Sequence, residues 1–479
     1  MSPLRSVAAL AGLLILAACA ATPAYRTAPF PARTLDHDMQ IAACARLVTA
    51  TDEAVDAAKV RDGGVHAVPG FPYLRTDRFT AAQAGRLSAD EWYGRMRDFD
   101  RDARRIELAN LPADRQVPLI ARADVAFPDV PFDAALDACG DRLLAAARAD
   151  GSAPTTVQVP DDYQTWKRVT GVYALTKYPF ASGVRKYQRE TVKTFSTPLD
   201  QLPLRGPVER YVPHGGSIAS LPGVDPALSG ELQRHAPVLE IETVTDHDRI
   251  GNPALDDDGA PLVDIAHPVT YARVAHTMVG DQVLTQLVYS FWFPSRPKTS
   301  RADMLGGRLD GIIWRVTLGP DGRPLIYDSI HQCGCYHQFF PTPRASMKPA
   351  PDTTDEWAFV PQQLPDVGPN QRIALRIAAR THYLQRVSVI DGNPPGIGFG
   401  FAADADLRSI QLRDGSHRSL FRPDGIVAGT ERGERWFFWP MGVKEPGAMR
   451  QWGRHATAFV GRRHFDDSNL LERYFEFQP

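Results

Sequence analysis

After residue 21, this chain of 479 residues lacks any apolar run that could cross a bilayer, which takes roughly 18 or more residues. It also lacks an excess of one charge, since 54 Lys and Arg stand against 56 Asp and Glu. This balance gives no global field for nucleic acid, and no nucleic-acid partner is expected. Walker loops, GxSxG elbows and HExxH helices are missing too, which removes the corresponding nucleotide, hydrolase and metalloprotease sites.

The N-terminus carries a targeting signal. Arg5 precedes an apolar run over residues 7–16, and small residues follow, which is the three-part pattern of a secretory signal peptide. The uncharged stretch 7–21 is too short for a spanning helix. Its segment Leu16-Ala17-Ala18-Cys19 resembles the lipobox of bacterial lipoproteins, a resemblance that covers residues 1–21 alone. It implies cleavage before Cys19 and acylation of that residue. Ala20 in place of an aspartate implies the outer membrane.

These features predict the organisation of the chain. We expect a lipoprotein signal peptide over 1–18, a lipidated tether over 19–35, and a body on the periplasmic face of the outer membrane. An ordinary cleaved signal with a chance cysteine is the alternative. Residues 36–160 are expected to form a helical domain, 161–235 a basic, aromatic segment with a connector, and 236–479 a mainly antiparallel β-rich domain. The expected fold class is α+β.

Cysteine is scarce, and apart from Cys19 the chain has Cys44, Cys139, Cys333 and Cys335. In an oxidising compartment an even number of cysteines is expected to be paired. Cys44 and Cys139 lie in two segments with helical spacing, so a disulfide between them is the natural pairing. A further helix is expected after Ser88, where Glu91 completes a capping box. The helix that carries Cys139 is expected to bend or break near Gly140.

The second half of the chain has strand patterns. Residues 267–279 and 282–294 flank Gly280-Asp281 and predict a hairpin, and residues 310–318 and 323–340 flank a Gly-Pro-Asp-Gly turn and predict another. The apolar runs 433–440 and 455–465 are expected to add strands. In the segment 161–195, basic residues alternate with aromatic ones. That composition fits a membrane surface or an anionic polymer, or else a solvated face over a core.

The stretch DSIHQCGCYHQFF places His331, Cys333, Cys335 and His337 at every second position. On a strand, residues two apart share a face, so we expect these four side chains to point the same way. A straight strand spreads them too far apart for one ion. A zinc or copper site would therefore need ligands from other segments, with the favoured donors being His382, His455 and His464.

Two other interpretations of the stretch stay open. Cys333 and Cys335 could form a disulfide, which would be strained in a ring this small. Alternatively, Cys333 or Cys335 could be a nucleophile with His331 or His337 as its base and Asp328 behind the imidazole. The segment SIHQCGC is faintly similar to the Ser-His-Gly-Cys segment of the L,D-transpeptidases, but Ile330 and Gln332 depart from it and the expected arginine is absent.

The function expected from the sequence is a binding or structural role in the cell envelope, with a soft metal, zinc or copper, as the cofactor if there is one. A cysteine-dependent hydrolase or transpeptidase-like enzyme and a purely structural domain are the alternatives. The expected partners are the membrane, through the lipid on Cys19, and an envelope protein or anionic polymer.

Overall fold

The computed structural model describes residues 39–214 and 226–478, so the predicted signal peptide, tether and lipidation site lie outside the described residues. In the described ranges the helices are α1 (Met39–Ala58), α2 (Arg78–Ala82), α3 (Ala89–Asn110), α4 (Ala113–Ala126), α5 (Phe132–Ala149), α6 (Thr165–Thr170), α7 (Tyr173–Ser196), α8 (Ser229–His235), α9 (Arg435–Phe438) and α10 (Leu470–Tyr474). None of them combines the length and apolar character needed to cross a bilayer.

The described strands follow the first helices and dominate the second half of the chain. They are β1 (His66–Val68), β2 (Phe71–Thr76), β3 (Val208–Pro213), β4 (Val238–Glu242), β5 (Asn252–Leu255), β6 (Pro261–Asp264), β7 (Val269–Val279), β8 (Gln282–Arg296), β9 (Gly307–Leu318), β10 (Pro324–His331), β11 (Gln338–Pro341), β12 (Ala345–Met347), β13 (Gln371–Ile377), β14 (Leu384–Asp391), β15 (Ile397–Ala403), β16 (Ile410–Gln411), β17 (His417–Arg418) and β18 (Phe475–Phe477).

The N-terminal helices enclose their own core, and the predicted disulfide between Cys44 and Cys139 is confirmed there. It joins α1 to α5. Ser88 and Glu91 form the expected capping box at the start of α3. The expected break near Gly140 is wrong, because α5 runs through that position without interruption. A side chain at Gly140 would lie 2.4 Å from the guanidinium of Arg97, so this glycine makes room for a buried arginine.

One ten-stranded sheet organises the second half, in the order β11-β10-β9-β8-β7-β15-β3-β4-β13-β14. Strand β15 runs parallel to β7 and β3, β4 runs parallel to β13, and the other neighbours are antiparallel. The expected α+β class with a mainly antiparallel C-terminal part is thus confirmed. Both predicted hairpins are present, as β7–β8 and β9–β10. Aromatic and aliphatic side chains from one face of the sheet form the main core.

Two predicted strands are not strands. Residues 433–440 fold as the short helix α9 and a 3₁₀ turn, Trp439–Met441. Residues 455–465 form an irregular segment with a single bridge between Ala456 and His464. Its backbone polar groups are satisfied from elsewhere, because the N–H groups of residues 458 and 463 donate to the hydroxyl of Tyr163. A neighbouring strand is therefore not needed to pair them.

The segment 161–235 contributes elements that position the candidate site. It contains α6, α7, β3 and α8. Helix α7 is fixed at two points, since Ala181 packs with Met441 and Val460 while Phe195 inserts into the main core. Residues 176–188 of the same helix line a cavity.

Candidate functional site

The His/Cys stretch turns a corner instead of continuing β10. The strand ends at His331, and the backbone reverses over residues 331–335. The N–H of Gly334 donates to the carbonyl of His331 at 2.7 Å, and the N–H of His331 donates to the carbonyl of Cys335 at 3.0 Å. Gly334 has a φ of +87°, and a Cβ there would lie 2.6 Å from the carbonyl oxygen of Ala456. Only glycine fits this position on both counts.

The expectation that His331, Cys333, Cys335 and His337 share one face is wrong. Asp328 and His331 are three positions apart on β10, so they project from opposite faces of the sheet. His337 lies on the Asp328 side, with its Nε2 2.9 Å from Asp328 Oδ2. His331 lies on the other side, where its ring packs on Tyr336. The turn breaks the period of two, which requires a continuous strand.

The two cysteines remain thiols, so the disulfide expected as one alternative is not formed. Both are buried. The Cys335 thiol donates a hydrogen bond to the Cys333 sulfur. This bond lowers the pKa of Cys333 and, together with burial, raises the pKa of Cys335 well above its ordinary value. Cys335 is therefore a protonated thiol at neutral pH, which makes it a weak nucleophile as it stands.

His337 belongs to a buried ionic group under the sheet. Asp328 accepts two hydrogen bonds from Arg315, at 2.9 and 2.6 Å, in addition to its contact with His337. The guanidinium of Arg315 lies 3.7 Å from the ring centre of Phe465. Burial outweighs the nearby carboxylate and lowers the pKa of His337 to about 3, so its imidazole is neutral. Its Nδ1 has no hydrogen-bond partner among the described residues.

His331 and His382 meet at a different carboxylate. His382 Nδ1 lies 2.8 Å from Asp310 Oδ2, and His331 Nδ1 lies 3.7 Å from Asp310 Oδ1. A guanidinium nitrogen of Arg432 lies 3.3 Å from the same Oδ1. The imidazole of His382 stacks on Phe293 with ring centres 3.9 Å apart. The arginine thus supplies the positive charge next to Asp310 that a metal ion would otherwise provide.

The remaining histidine candidates lie elsewhere. Burial lowers the pKa of His455 to about 3, and the positive charge of Arg450 acts in the same direction. His464 Nε2 accepts a hydrogen bond from the N–H of Asp162 at 3.3 Å. Across the residues that the structure describes, no three or more His, Cys, Asp or Glu side chains form a group that could hold a metal ion. The expected zinc or copper site is therefore unsupported.

Two of the predicted residues, Cys335 and His337, line a cavity of about 630 Å³. One wall is a single face of α7, whose lining positions recur every three or four residues: Thr176, Pro179, Phe180, Gly183, Val184, Tyr187 and Gln188. The other walls come from the 335–337 corner, from Tyr383 just before β14, from α9, and from two loops. These contribute mainly aromatic rings: Tyr336, Trp357, Phe359, Tyr383, Phe437, Phe438 and Phe459.

Three tyrosines form a connected platform at the base of the cavity. The hydroxyl of Tyr383 donates to that of Tyr336 at 2.8 Å, and the ring of Tyr187 lies 5.1 Å from Tyr336 and 6.0 Å from Tyr383. Tyr336 has a φ of +61°, which is unusual for a bulky side chain. Tyr336 follows the 331–335 turn directly, and its side chain lines the cavity.

The cavity also contains two carboxyl groups with perturbed ionisation. Burial raises the pKa of Glu434 to about 7, against the opposing effect of Arg432 and Arg296. Burial also raises the pKa of Glu356, whose Oε1 accepts hydrogen bonds from the N–H groups of Phe459 and Val460 at 2.7 and 2.9 Å. Arg463 also lines the cavity, with its guanidinium 3.9 Å from Glu356 Oε2. The charged and polar groups are thus few and lie at fixed positions among the aromatic rings. Such walls are typical of a site for an apolar ligand.

Sequence reasoning missed most of this cavity. The composition of the α7 segment indicates only a basic and aromatic character, and the apolar run at α9 predicts a strand. The spacing of Thr176, Phe180, Gly183, Val184 and Tyr187 is the helical signal that could have separated an inner face from the outer basic one. The association of that face with Glu434 could not be found from spacing, because more than 240 residues separate them.

Comparison of this chain with protein-family models, with curated proteins and with solved structures gave no match.

Proposed function

We propose that this protein is a lipid-anchored envelope protein that binds an apolar ligand, such as an acyl chain, in the aromatic cavity beside α7. The observation that carries the proposal is the cavity itself, with about 630 Å³ of space and a lining of aromatic rings. Ligand pockets typically have a volume of a few hundred Å³, apolar walls and a small number of polar groups at fixed positions. Here the polar groups include Glu434, Glu356, Arg463, His337 and the Cys335 thiol.

The rest of the proposal comes from the sequence. The lipobox resemblance at Cys19 supports anchoring at the periplasmic face of the outer membrane, where acyl chains are abundant. A bound zinc or copper ion is not part of the proposal. The histidines that the sequence offered are distributed over separate carboxylates and arginines, with no common centre.

A cavity-filling variant tests the proposal. Gly183 lies in the lining face of α7, and a Cβ built there meets no atom within 4 Å. Gly183→Leu should therefore place a side chain in the open space. It should also favour the helix by roughly 0.5–1 kcal/mol, because glycine is a poor helix former. Titration with the neutral fluorophore N-phenylnaphthylamine should show saturable binding to the wild type. The variant should bind the fluorophore at least about tenfold more weakly.

The matched control is Gly94→Leu in α3. Gly94 is also a helical glycine whose Cβ would meet nothing within 4 Å, but it lies outside the cavity. It should bind the fluorophore as the wild type does. Equal binding by both variants and the wild type would reject the cavity as the ligand site.

A second candidate, a thiol-dependent enzyme, is favoured by one arrangement. Cys335 and His337 line the same cavity, and Asp328 lies 2.9 Å behind the imidazole. The raised pKa of Cys335 opposes it. Alkylation with iodoacetamide at neutral pH separates the two: a binding protein should react at Cys335 more slowly than a free cysteine does. A native Cys335 thiol that reacts faster than free cysteine would favour the enzyme.

A further inference from the structure

The outer surface beside the cavity exposes an unusual number of large apolar side chains. Six large apolar side chains that are about half exposed or more come from α6, the start of α7, and α9: Trp166, Val169, Leu175, Tyr178, Trp436 and Phe437. Val169 is 72% exposed and Trp436 is 71% exposed. We call these six residues the apolar face. Contiguous exposed apolar surface marks contact with a protein or a membrane.

The apolar face is continuous with the mouth of the cavity. Phe437 is 58% exposed and also lines the cavity, and its ring centre lies 5.3 Å from that of Phe180 on the inner face of α7. Pro179 and Gly183 are likewise exposed residues of the cavity lining. A ligand that entered between α7 and α9 would therefore pass directly from the apolar face into the cavity.

Positive charge surrounds this face. From residue 165 to 196 the sequence has seven Lys and Arg and one Glu, although the whole chain has a formal net charge of −2. Lys167 and Lys177 lie over the rings of Trp166 and Tyr178, at 5.8 and 5.4 Å. Arg435 lies over Trp436 at 4.9 Å. Aromatic rings at an apolar boundary, with basic groups on the polar side, match the interface of an anionic bilayer.

We infer that the apolar face docks on an anionic phospholipid surface and that the cavity takes its ligand from that bilayer. The inference rests on the proposed function for the ligand, but the docking itself can be tested separately. Each basic side chain close to an anionic surface contributes about fivefold to binding. Helix α7 continues from the apolar turns into a basic stretch with Arg185, Lys186, Arg189 and Lys193.

The experiment uses the full chain reconstituted in vesicles of phosphatidylethanolamine and phosphatidylglycerol with brominated acyl chains, which quench nearby tryptophans. The double variant Trp166→Ser, Trp436→Ser gives the background from the other six tryptophans. The difference between wild type and this variant is the signal of the apolar face. It should be quenched in these vesicles and much less in brominated phosphatidylcholine vesicles, which carry no net charge.

Charge reversal provides the matched pair of variants. The triple change Lys186→Glu, Arg189→Glu, Lys193→Glu should weaken docking by more than about 100-fold and abolish most of the quenching. The control reverses three exposed arginines away from α7, at positions 115, 122 and 413, and should leave the quenching unchanged. Quenching that is equal in both triple variants, or equal in neutral vesicles, would overturn the docking inference. Binding of soluble polyphosphate without any vesicle quenching would overturn it too, in favour of an anionic polymer.

The two proposals fail in different ways. Gly183→Leu should lose the fluorophore but keep the quenching, whereas the basic triple variant should keep the fluorophore and lose the quenching. If Gly183→Leu binds the fluorophore normally, the ligand site is rejected while the docking result stands. If the basic triple variant docks normally, the docking inference is rejected while the ligand site stands.

Discussion

Glu434 gives the most direct test of the electrostatics of the cavity. Its carboxyl is 4% exposed, and burial raises its pKa from 4.5 to about 7. Between these two values the folded protein keeps a proton that the unfolded chain releases. The folded state therefore binds more protons, and the free energy of unfolding contributed by this group falls as the pH rises through that window.

The size of this effect follows from the shift. One pKa unit corresponds to 1.36 kcal/mol, so a shift from 4.5 to about 7 corresponds to roughly 3 kcal/mol. This amount is present below about pH 4.5 and lost above about pH 7. Glu434→Gln keeps the shape of the side chain and removes the titration. The variant should thus be more stable than the wild type by roughly 3 kcal/mol at about pH 8, and the difference should vanish near pH 4.

Urea denaturation of both proteins at several pH values measures the difference directly, because the other titrating groups cancel. Glu476→Gln serves as the control, since Glu476 is exposed at the C-terminal strand and lies outside the cavity. A difference between wild type and Glu434→Gln that is constant with pH would refute the argument. It would mean that the carboxyl is solvated in the folded protein and that the cavity is wetter than its walls indicate.

Three further predictions concern the disulfide, the buried ion pair and the anchor. Cys44→Ser should lower the free energy of unfolding by about 4–5 kcal/mol in the chain-entropy account, since the bridge to Cys139 spans 95 residues. Denaturation of the wild type and the variant under oxidising conditions measures this difference, and an unchanged midpoint would contradict it. Asp328→Asn should cost about 3–5 kcal/mol because it leaves Arg315 buried without its carboxylate, whereas the same change in an exposed ion pair should cost at most about 1 kcal/mol. Cys19→Ser should abolish labelling with a radioactive fatty acid, and undiminished labelling would rule out the lipobox interpretation.

How much the sequence predicts depends on how local each feature is. The capping box of Ser88 and Glu91 and the two-residue turn between β7 and β8 were predictable, because neighbouring residues determine them. The α+β order was predictable from a change of hydrophobic period along the chain. The disulfide between Cys44 and Cys139 could be proposed because few cysteines were available and each lies in an apolar helix.

The His/Cys stretch shows where this local reasoning ends. The period of two predicted one face for His331 and His337, but Gly334 adopts a positive φ and reverses the chain. Whether such a turn forms depends on the carbonyl of Ala456, which occupies the space of a side chain there. That contact joins residues more than 120 positions apart, and no pattern within the stretch contains it.

The sequence by itself determined the class of secondary structure, the disulfide pairing that the structure confirms, and the unusual basic and aromatic character of residues 161–195. Tertiary structure alone decided which side of that segment faces inward, and it brought α7, the 335–337 corner and α9 around one cavity. Periodicity depends on neighbours along the chain, whereas a cavity depends on how distant surfaces fail to fill the space between them.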